Sequence, residues 1–162
     1  MSPTTLAGLR LLHFIGFTLA VGGGFAAQRV IGLAREHSAA QRAGIEIAAK
    51  RIIIMVELIG LMVALAAGIA LLAQNPNHLI PSASGAGPWL HIKLVLVAIV
   101  LVIAHLRMFR LARLVRERDA GASEAECEAL LTKAARLGQL DLALYALIFF
   151  VAIFRYALFT NG

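Results

Sequence analysis

Three histidines and one lysine stand inside, or at the edge of, strongly apolar stretches of this chain: His13, His91, His105 and Lys93. His91 and His105 are fourteen residues apart. That is almost four turns of α-helix, so their imidazoles fall on nearly one face, about 21 Å apart along the axis. One transmembrane helix would thus carry an imidazole near each side of a bilayer. Imidazole at such depth is costly unless it is engaged, and the chemistry that best uses it is iron ligation. His13 shares a small-residue stripe with Gly16, Ala20 and Gly24, Ala20 lying only about 20° round the helix from it. A haem b held between His13 and His91 is the economical arrangement, each ring giving one axial bond while an apolar shell holds the porphyrin. The other reading of His91 is an interfacial anchor beside Trp89. At the level of His105 no strong second ligand is visible. Met55 would complete a His/Met pair there for a second haem; the alternative is a hydrogen bond from His105 to Glu57 or Asp141. The expectation is therefore one haem, with a second at His105 as its rival.

Other polar residues fall in the apolar stretches too. Glu57 and Asp141 would be expensive as isolated carboxylates, so pairing with His105, Arg136 or Lys133 is expected. Arg10 and Arg155, near the opposite surface, either snorkel to the headgroups or neutralise haem propionates. His78 is read as solvated.

The elements that must position these groups follow from composition. Of the 162 residues, 60% are hydrophobic, and the mean hydropathy is +0.85. Four apolar stretches, residues 6–27, 52–73, 89–106 and 137–159, reach the roughly 20 residues needed to cross a bilayer. The first does not read as a cleavable signal, since no small-residue cleavage site precedes a soluble domain. The fold expected is all-α: a single domain over 1–162, an integral membrane four-helix bundle.

Basic residues are sorted by side. Arg29, Arg35, Arg42, Lys50 and Arg51 lie between the first two stretches. Arg107, Arg110, Arg113, Arg116, Arg118, Lys133 and Arg136 lie between the last two. Twelve of the fifteen lysines and arginines are thus on one side, and residues 74–89 carry none. The positive-inside rule makes that basic side cytoplasmic and puts both termini outside, in a bacterial-type inner (plasma) membrane. The charge of +6 is then a topology signal and not a nucleic-acid footprint, and the partner expected is membrane lipid. The single cysteine, Cys127, excludes an intrachain disulfide and a cysteine-ligated cluster. Residues 74–88 hold three of the four prolines and read as an irregular loop. Ser123 followed by Glu126 reads as a helix start. Stripes at Gly16, Ala20, Gly24 and at Gly60, Ala64, Gly68 predict close helix packing, and make a homodimer an expectation.

The assembled residues resemble the HemJ-type protoporphyrinogen oxidases and, more loosely, the membrane domain of the copper resistance protein D family. The likeness is carried by His13, Gly23, Phe25 and Arg29; by Lys50-Arg51-Ile52-Ile53-Ile54-Met55; and by Trp89-Leu90-His91-Ile92-Lys93-Leu94 with His105 and Arg110. It implies a four-helix haem b protein in which His13 is haem-associated and Lys93 is essential to the reaction, the oxidation of protoporphyrinogen IX. The chain differs from that family at Glu57, where the family is apolar, and at Gly138-Gln139, where it has Asn-Glu. The first reading is a membrane cytochrome b moving electrons between a porphyrin or other reductant and a membrane quinone. The second is a true protoporphyrinogen oxidase. The third is a copper-handling protein using His13, His91, Met55 and Met62 as soft-metal ligands. One tension is internal to the motif: Lys93 points about 160° away from His91 on an α-helix.

Overall fold

The computed structural model describes residues 2–74 and 89–159, the side chains of 39, 40 and 155–159 excepted. The helices are α1 (Pro3–Glu36), α2 (Ala39–Ile52), a π-helical segment (Ile53–Leu58), α3 (Ile59–Gln74), α4 (Trp89–Asp119) and α5 (Glu124–Phe159). Because α2, the π segment and α3 are continuous, they make one rod. The bundle therefore has four rods, each long and apolar enough to cross a membrane, and no strand occurs among the described residues. The chain is a multi-pass, all-α transmembrane bundle.

The rods outrun the membrane. At 34 residues α1 is about 51 Å long, against a hydrocarbon core of about 30 Å. Local chemistry sets the ends. Ser2 caps α1 by accepting from the Thr5 N–H at 3.2 Å, with Pro3 in the first turn. Ser38 and Gln41 form a reciprocal box at the head of α2, so the chain reverses within two residues of the end of α1. The α4–α5 reversal uses Gly121, whose φ of +81° is comfortable only without a Cβ. Ser123 and Glu126 then close the cap expected for α5: Glu126 accepts from the Ser123 N–H at 3.0 Å, and Ser123 Oγ from the Glu126 N–H at 3.4 Å.

Large apolar side chains such as Phe14, Phe25, Phe109 and Phe149 face outward, the expected polarity of a bundle solvated by lipid. Internal packing rests on small residues instead. A Cβ on Gly16 would meet the Gly60 carbonyl at 2.8 Å, and one on Gly60 would meet the Ala20 nitrogen at 2.6 Å. The two small-residue stripes thus interlock α1 with α3 inside one chain. They are already engaged, and the homodimer expectation loses the feature that motivated it.

Two apolar cores stack along the bundle. One, nearer Gln74 and Trp89, gathers Ala20, Leu61, Val100, Tyr145 and Ile148. The other gathers Ile31, Ile53, Leu111, Leu114 and Leu131 at the basic end. Beyond it the basic end is laced by ion pairs, Arg118 with Glu46 at 2.8 Å and Arg42 with Glu124 at 2.6 Å among them.

Candidate functional site

His13 is half-buried on α1 and faces α3. Its Nδ1 lies 2.6 Å from the Ala64 carbonyl oxygen. A carbonyl only accepts, so Nδ1 must carry the hydrogen, and in the neutral ring the lone pair is left on Nε2. That Nε2 faces the Lys93 ammonium of α4 at 3.5 Å, a long contact at the limit of hydrogen bonding. Gly68 gives the ring its place, since a Cβ there would stand 3.1 Å from the His13 Cε1. The small-residue stripe on α3 therefore does two things: it admits α1 at Gly60, and it admits the imidazole at Gly68.

The internal tension of the motif is resolved in favour of the lysine. Lys93 meets His13, while His91 is exposed on the opposite side of α4. His91, Ala98 and His105 do share one face, as their spacing requires, but that face is the exposed one. His105 Nδ1 donates to the Leu101 carbonyl of its own helix at 2.7 Å. It bonds to neither Glu57 nor Asp141, and Met55 lies 64% exposed, on the wrong side of its helix to complete a His/Met pair in the core. Arg10 is exposed; the side chain of Arg155, and all of His78, lie outside the described residues. Among the described residues no group of three or more histidines, cysteines and carboxylates converges as a metal site.

A second polar site sits between the two apolar cores. Arg107 and Glu57 are both fully buried and pair at 3.2 Å. Arg107 Nη2 also donates to the Gly24 carbonyl at 3.4 Å and to Gln28 Oε1 at 3.5 Å, and Gln28 in turn donates to the Ala135 carbonyl at 3.1 Å. Asp141 of α5 is fully buried in the same cluster, with its carboxyl against that of Glu57. Tyr145, one turn on, is edge-on to Phe17 at 6.0 Å. Glycines open the space. A Cβ on Gly23 would strike the Glu57 nitrogen at 2.6 Å, and one on Gly138 would collide with Gln28 Oε1 and the Arg107 guanidinium. The π segment belongs to the same construction: it turns Glu57 inward while Met55 faces out, as such insertions do at functional positions.

Glu57 and Asp141 were expected to be paired, but not with this partner. His105 points outward, so it cannot reach them, and Arg107, the first residue of the basic run, takes the role. Helical spacing groups Arg107 with one face of α4, and the structure shows that face to be the buried one. Arg107 continues the buried series Val100, Ile103, Ala104, Leu111, Leu114 at helical spacing, whereas Arg113 stands off that face, exposed. What the pattern lacks is the other half: nothing in α4 alone says which helix supplies the carboxylates.

No protein-family model matches this chain, and neither a curated protein nor a solved structure matches it.

Proposed function

We propose that this chain is a haem b-binding membrane oxidoreductase of the HemJ kind, with His13 as the iron ligand and Lys93 as the catalytic group beside it. The observation that carries the reading is the state of His13. A backbone carbonyl holds its Nδ1–H, which is how proteins orient an imidazole whose other nitrogen ligates a metal, and Nε2 opens toward Lys93 in an apolar wall. Haem, when bound, supplies one-electron redox chemistry. The chain's own residues do the rest. Ala64 and Gly68 orient His13, the apolar faces of α1 and α3 exclude water, and Lys93, which stands 3.5 Å from Nε2, would yield that lone pair to the iron and hold its ammonium proton beside the bound group. The donor set fits a haem with one histidine from the bundle interior. His91 and His105 fit only a haem on the exposed face of α4, so the bis-histidine site between His13 and His91 is not part of the proposal.

The direction in the membrane follows from charge: basic end cytoplasmic, termini outside, in the inner membrane. Electrons would pass from a porphyrin or other reductant to a membrane quinone. The true oxidase is the second reading, favoured by the contact of Lys93 with His13, because it pairs a proton-carrying group with the redox site. The copper reading has less support, since Met55 and Met62 are 64% and 55% exposed and do not turn toward His13.

The test is the absorption spectrum of the purified protein. A Soret band that shifts on reduction is expected, with His13→Ala losing most of the haem and Lys93→Met retaining it but losing turnover. A colourless wild-type protein, or full haem and an unaltered spectrum in His13→Ala, would overturn the assignment.

A further inference from the structure

The buried cluster between the cores has a charge imbalance that its geometry explains in one way. Arg107 contributes one positive charge; Glu57 and Asp141 contribute two negative ones if both are ionised. All three side chains are fully buried, and the groups packed around them are neutral: Gln28 and the Gly24 carbonyl from α1, and Tyr145 from α5. A lone net charge in such surroundings is expensive. The hydrogen-bond inventory leans the same way, with three carboxyl oxygens lacking a donor against two donors, Arg107 Nε and the Tyr145 hydroxyl, lacking an acceptor. Glu57 Oε2 accepts from Arg107, but Glu57 Oε1 and both oxygens of Asp141 have no donor, although the two carboxyls lie against each other. Two carboxylates cannot hydrogen-bond to one another. A carboxylic acid and a carboxylate can, and a single proton between them gives Glu57 Oε1 its donor and brings the cluster to neutrality.

We infer that Glu57 and Asp141 form an intramembrane proton-binding site, with Asp141 as the acid donating to a Glu57 carboxylate held by Arg107. The proton is the ligand, and Arg107 is the positioning residue that decides which carboxyl keeps it. A metal cation is a poorer occupant, because the guanidinium already stands on Glu57 and repels it. The site depends on no haem, so it stands or falls separately from the redox reading.

Infrared spectroscopy on the full-length protein in lipid nanodiscs tests it, with aspartate labelled isotopically at the side-chain carboxyl carbon. At neutral pH a protonated-carboxyl stretch that moves with the label is expected. Asp141→Asn should abolish it. Glu57→Gln should abolish it too, though every aspartate remains, because Asp141 then ionises to pair with Arg107. Absence of a label-sensitive band in the folded wild-type protein would overturn the inference. So would a band that survives in Glu57→Gln, which would mean that burial alone, and not a shared proton, keeps Asp141 neutral.

Discussion

Replacing Arg107 by methionine tests the centre of the fold most directly. The guanidinium is fully buried, pairs with Glu57 at 3.2 Å, and donates to Gly24 and Gln28. Methionine fills much of the volume but supplies no donor. Removing one member of a buried ion pair strands the other, a loss of about 3–5 kcal/mol, or roughly two to three and a half powers of ten in the unfolding constant. Here the stranded group is a pair of carboxyls, and protonation of Glu57 relieves part of the cost, so the lower end of the range, about 3 kcal/mol, is expected. Adding Glu57→Gln to Arg107→Met should recover much of that loss, because the double variant holds no unpaired charge. The assay is reversible unfolding in mixed micelles of the wild type, both single variants and the double, read as a coupling energy. If Arg107→Met costs under about 1 kcal/mol, or if the two changes add without coupling, the pair is not a stabilising element and the argument from burial fails.

Gly60→Ala should destabilise the bundle by about 1–3 kcal/mol, since its Cβ would meet backbone of α1 on both sides, the Ala20 nitrogen and the Gly16 carbonyl. Gly22→Ala, where nothing lies within 4 Å, should hold stability or raise it by up to about 1 kcal/mol, the helix preference for alanine over glycine, and so serves as its control. Gly138→Ala should displace Gln28 and Arg107 together, lowering stability by an amount that shrinks when Arg107 is already methionine; full additivity would refute the contact. His105→Ala should leave the haem-to-protein ratio unchanged, because among the described residues its ring bonds only to Leu101 of its own helix; a halved ratio would restore a second haem on the exposed face of α4. Reporter fusions after Gln41 and Gly121 should be cytoplasmic and one after Ser82 external, and the reverse pattern would invert the bundle.

The four spans, their side-sorting of charge and the cap at Ser123 were legible in the chain because each depends on neighbours a few residues away. Hydropathy over about 20 residues dictates burial in lipid, and a serine three residues before Glu126 finds its own partner. The shared face of His91 and His105 was legible for the same reason, as helical rotation alone sets it. Which way that face points was not. Both sides of a membrane helix are apolar, one toward lipid and one toward the bundle, so periodicity cannot tell them apart as it does in water. Only packing decided that Lys93 turns to His13 while His91 turns outward. Packing alone, too, lifted Arg107 out of the basic run and set it against Glu57, 50 residues away, through a π segment that re-aims the carboxylate and through Gly23, Gly24 and Gly138, which leave it room. Hydropathy and spacing alone put polar groups within the membrane. The tertiary structure decided who neutralises whom, because a buried charge takes its partner from whichever helix packs against it.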